Sequence, residues 1–79
     1  MVGQYTYKVK GEPQKSKESV VELSSMDEVY NWYSNVAVPN PINLPIEYFI
    51  KVSDKEWQLK KAVGDCEMVI LRLIDTKVR

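Results

Sequence analysis

The sequence predicts a small α+β domain, an antiparallel or mixed β-sheet with one helix packed on one face. Three observations carry this reading. Eleven Val and five Ile against two Ala lean to strand, because branched side chains suit a pleated, half-buried surface. Only residues 26 to 36 combine helical spacing of apolar residues with a clear start and stop. At 79 residues there is room for one core, so 1–79 is read as a single domain.

The elements follow in order. Residues 4 to 10 alternate strictly, with Tyr5, Tyr7 and Val9 on one face and Thr6, Lys8 and Lys10 on the other, the mark of a half-buried strand. The breaker-rich Gly11-Glu-Pro-Gln-Lys-Ser leads into a returning strand at Ser19–Leu23, which completes a hairpin. Ser25 and Glu28 form a capping box, Asp27 and Glu28 complement the helix dipole, and Pro39 and Pro41 stop the helix. Val38 to Pro45 reads as an extended connector, exposing Asn40 and Asn43 among its prolines. A strand at Ile46–Val52 follows, with Ile46, Tyr48, Ile50 and Val52 on one face. Residues 66 to 74 form an almost unbroken apolar run, expected of a central strand covered on both faces.

Residues 53 to 64 admit two readings. As a helix they have a capping box from Ser53 to Glu56 and a glycine stop at Gly64, but Trp57 points away from Leu59, Ala62 and Val63. As a strand they alternate Trp57, Leu59 and Val63 against Gln58 and Lys60, with Gly64-Asp65 as a two-residue turn. The strand is favoured because it buries Trp57 with its neighbours. The leading order is β-β-α-β-β-β, with β-β-α-β-α-β as the alternative. In the first, one helix covers one sheet face and leaves the other for a partner or a second subunit.

Several chemistries are disfavoured by composition. There is no histidine, so the commonest general base and nitrogen metal ligand are missing. One cysteine, Cys66, excludes a Cys/His zinc site, and its apolar setting fits a buried thiol in a reducing, cytoplasmic compartment. No metal site or cofactor is expected. Ser24, Ser25, Ser34 and Ser53 lie outside any nucleophile elbow, and phosphate-cradling glycine loops are absent, so no enzymatic role is expected. Neither a secretory leader nor an apolar run of about 18 residues is present, which argues against a membrane.

Two functional classes remain. The first is a protein-interaction module, an adaptor or inhibitor of the kind frequent among accessory proteins of phages and other mobile elements. It would act on a protein partner or a second copy through a sheet face or edge, with Trp57, Tyr48, Trp32 and Phe49 as contact residues. The second is a nucleic-acid-associated protein using the locally basic first hairpin, with Lys8, Lys10, Lys15 and Lys17 on phosphates. A net charge of zero and the placing of tyrosines and lysines on opposite strand faces weigh against the second.

Overall fold

The alternation of Tyr5, Tyr7 and Val9 with Thr6 and Lys8 is realised as strand β1, Val2–Val9, in the computed structural model, which describes residues 1–35 and 43–75. β2, Lys15–Glu22, returns antiparallel to it, and helix α1, Met26–Asn35, follows. A 3-10 turn, Ile46–Tyr48, leads into β3, Phe49–Ser53, β4, Glu56–Leu59, and β5, Cys66–Ile74. The strands lie in the order β2-β1-β5-β4-β3 with every neighbouring pair antiparallel. The expected extension of the helix to residue 36 and most of the proline connector lie outside the described residues.

The helix starts where the capping residues place it, with one change. Ser25 Oγ accepts from the Glu28 N–H at 3.3 Å, but the Glu28 carboxylate reaches back to the Ser24 N–H at 2.7 Å. The reciprocal arm of the box is thus shifted one residue outward. Met26, Val29 and Tyr33 bury the apolar stripe against β1 and β5. Close approach depends on Gly3, where a Cβ would lie 2.8 Å from Leu23 Cδ1 and 3.2 Å from the Trp32 ring.

Residues 53 to 64 contain a strand. Trp57 sits between Lys51 and Leu71 in register and is 5% exposed. Burying a ring of this size is worth several kcal/mol at roughly 25 cal/mol per Å², more than the intrinsic helix propensity of the segment offers. Ser53 Oγ accepts from the Lys55 N–H at 3.2 Å and tightens the turn into β4. Val63 and Cys66 exchange both backbone hydrogen bonds at 2.9 Å around Gly64-Asp65, with Gly64 at φ +57° as the turn requires.

Two expectations need correction. The strand expected from Ile46 begins only at Phe49, because Pro45 opens a 3-10 turn whose Tyr48 N–H donates to the Pro45 carbonyl. Phe49, not its alternating neighbours, then turns inward, 6.0 Å from the Tyr33 ring at 83° and 6.1 Å from Tyr30 at 70°. The run in β5 is central but not covered twice. Val69, Leu71 and Leu73 are buried under the helix side, whereas Met68, Ile70 and Ile74 are half-buried and Arg72 is exposed on the other.

The polar part of the core is a clamp on Leu44. Tyr33, fully buried, accepts from the Leu44 N–H at 3.3 Å, and Tyr30 donates its hydroxyl to the Leu44 carbonyl at 2.8 Å. Both backbone groups of the chain returning from the helix are thereby satisfied. Replacing Tyr33→Phe leaves the Leu44 N–H unpaired, and the expected loss is about 1–3 kcal/mol in urea unfolding. Tyr30→Phe, at a less buried hydroxyl, costs less.

Candidate interaction surface

The side chains of greatest interest follow from which face of the sheet each strand position takes. On the covered face Lys51, Trp57, Leu71, Tyr5 and Lys17 lie in one row across all five strands. Lysines therefore end the row at both edges, and the Lys51 amine lies 5.5 Å from the centre of the Trp57 ring. On the open face one row runs Ile50, Gln58, Ile70, Thr6, Ser16, and the next runs Glu56, Arg72, Gln4, Glu18.

This second row is polar, its members paired with one another or with Gln58 of the row beside it. Arg72 Nε meets Glu56 at 3.5 Å, Gln58 Nε2 donates to Glu56 at 2.6 Å, and Gln4 Nε2 donates to Glu18 at 3.4 Å. The open face is accordingly not the uniform apolar sheet that the β5 run suggested. Exposed large apolar side chains gather at the two edges: Ile46, Tyr48, Ile50 and Val52, 40 to 52% exposed, on β3 and the turn before it, and Val20 and Val21, 99% and 52% exposed, on β2. Among the described residues β3 is an edge strand.

Next to Tyr48 an open groove of about 410 Å³ is lined by Glu47, Tyr48, Lys60, Lys61, Ala62 and Val63. On the helix side a recess of about 350 Å³ lies between Ser25, Met26, Asp27, Lys51, Ser53, Asp54 and Trp57. Lys51 and Ser53 of β3 line the second hollow, and the turn before β3 lines the first. A second apolar feature is at β2, where Ser19 Oγ accepts from the Gly3 N–H at 3.0 Å and donates to the Val21 carbonyl at 2.7 Å. That contact holds a register shift which throws Val20 into solvent.

Of the four aromatic residues singled out in the sequence, the structure brings only Tyr48 to the exposed strip. Trp57 and Phe49 are core side chains, and Trp32 is half-buried against the helix shoulder, 5.2 Å from the Tyr5 ring. The exposed strip centres instead on Ile50 and Val52, whose alternation was visible but whose outward direction was not. The basic hairpin is partly neutralised: Lys8 meets Glu67 and Lys15 meets Glu12, each at 3.7 Å. Lys10 and Lys17 have no ion-pair partner among the described residues.

The hydroxyls have local uses. Ser24 Oγ contacts Glu28, Ser34 Oγ donates to the Asn31 carbonyl, and Ser25 and Ser53 cap backbone N–H groups. Among the described residues no three His, Cys, Asp or Glu are grouped to hold a metal ion. Burial pushes the Cys66 thiol and the Tyr33 phenol above their ordinary values, Tyr33 strongly, although the Leu44 N–H offsets part of that shift. No helix among the described residues is long and apolar enough to cross a membrane. No family model, no curated protein and no solved structure matches the chain.

The raised groups give stability a defined pH dependence. The unfolded chain loses protons near 9.0 at Cys66 and 10.0 at Tyr33, while the folded chain retains them. Protons bound to the folded state then exceed those on the unfolded state, so stability falls as pH rises through this window. Urea unfolding should give a constant free energy from neutral pH to about 8.5 and a decline above about 9. Tyr33→Phe should make the decline shallower.

Proposed function

We propose that this chain is a non-enzymatic protein-binding module, an adaptor or inhibitor, and that it engages its partner through the β3 edge and the adjoining open face. The observation that carries this reading is the clustering of Ile46, Tyr48, Ile50 and Val52 on and beside one edge strand. Single exposed apolar residues are ordinary on protein surfaces, but a contiguous strip is a feature of binding sites. Its setting supports the same reading, since a strand edge with which no described strand pairs offers backbone groups as well as apolar area. The buried, unpaired Cys66 fits a reducing compartment such as the cytoplasm.

The nucleic-acid reading has less support, because two of its four lysines already face carboxylates and the total charge is zero. Exposed Ile50 can be changed without cost to the core, so Ile50→Lys should alter stability by no more than about 0.5 kcal/mol. Affinity capture from the native host tests the surface. The same partner should be recovered with wild type and with Val20→Lys, and lost with Ile50→Lys. Equal recovery with Ile50→Lys would rule out the β3 strip as the contact.

A further inference from the structure

We infer that the β3 edge accepts an extended segment of a different protein as a sixth strand, and that it selects one in which an acidic residue alternates with apolar ones. This inference rests on the protein-binding reading and specifies the partner's chemistry. It begins with the backbone. The Lys60 N–H donates to the Tyr48 carbonyl at 2.9 Å, which makes the opposed residues Phe49 and Leu59 a non-hydrogen-bonded pair. Because antiparallel pairs alternate, Ile50 turns its N–H and C=O toward Gln58 while Lys51 turns both outward. The Phe49 N–H is taken by the Ile46 carbonyl, so Lys51 is the centre of an edge with which no described strand pairs.

The side chains then set the pattern. A residue placed opposite Lys51 shares its face and comes within reach of its side chain, whose ammonium group rests 5.5 Å from the centre of the Trp57 ring, while the residues before and after it fall beside Ile50 and Val52 on the open face. Cross-strand neighbours of this kind contribute roughly 0.2–1 kcal/mol each, with like charges unfavourable. The favoured segment is therefore apolar, acidic, apolar. Lys51, Lys55, Lys60 and Lys61 are not ion-paired with a described residue; Asp27 and Asp54 line the recess that Lys51 shares, and Glu47 lines the groove of Lys60 and Lys61.

A second copy of the chain fits this edge poorly. The antiparallel register that sets Ile50 against the partner's Val52 also sets Lys51 directly against its own counterpart on one face. A lysine in the middle of an edge strand is a common obstacle to self-pairing. The charge that discourages the second copy is the one that would recognise an acidic strand.

Selection from a random twelve-residue peptide library displayed on phage tests this. With the wild-type domain, the enriched peptides should alternate apolar residues with Asp or Glu, and binding of a synthesised one should be lost with Ile50→Lys. Lys51→Glu should weaken that peptide roughly fivefold, about 1 kcal/mol, and should shift a repeat selection toward Lys and Arg. Peptides that depend on Ile50 but ignore Lys51→Glu would overturn this inference and leave the protein-binding reading standing. An absence of enriched peptides together with a concentration-dependent dimer in sedimentation would overturn it in favour of a second copy. Enrichment of nothing by a domain that stays monomeric would count against both.

Discussion

Among the described residues one ten-residue helix serves as cover for a five-stranded sheet, and the remaining features of this domain depend on that mismatch. The helix is about 15 Å long, and five strands span about 19 Å between the outer two. Centred on β1 and β5, it buries the middle of one sheet face. Two lysines, Lys17 and Lys51, finish the covered row at the rims, where long stems shield apolar surface and their charged ends stay in water. The other face is made tolerable by the polar row through Glu56, Arg72, Gln4 and Glu18. What is left over is the strip at β3 and, on the opposite edge, Val20 and Val21.

The helix can sit this close because neighbouring elements make room and hold it there. Gly3 removes a Cβ at the contact, and Tyr33 and Tyr30 bind the chain returning at Leu44. Tyr5, Tyr33 and Phe49 then meet at ring separations of 5.7 and 6.0 Å, with edge-to-face geometry favoured by aromatic quadrupoles. Inward placement of Phe49 turns Ile50 outward by alternation, and Val52, at the register shift between Lys51 and Ser53, is exposed beside it. Core packing and the exposed strip are thus two consequences of one strand orientation.

Much of the architecture was legible from local patterns. Strict alternation identified β1, spacing and caps identified α1, and the poor fit of Trp57 to a helical face favoured a strand over a helix for the segment that holds β4. The direction in which β3 faces was less legible, since Ile46, Tyr48, Ile50 and Val52 outnumber Phe49 and favour an inward reading by hydrophobicity alone. That orientation is decided by register with Trp57 and by packing on Tyr33, which are long-range facts. For the same reason Trp57 and Phe49 were easy to pick as large rings and hard to place, and the expected contact set kept only Tyr48 on the exposed strip. The polar row was missed because its members come from four strands.

The central claim is that β3 is an open edge, with Lys51 turned outward and Ile50 paired. Amide hydrogen exchange of the isolated domain, read residue by residue by NMR, tests it most directly. Fast exchange at Lys51 beside a protected Ile50 is the predicted result. Protection of Lys51 in the isolated domain, equal to that of Ile50, would contradict it.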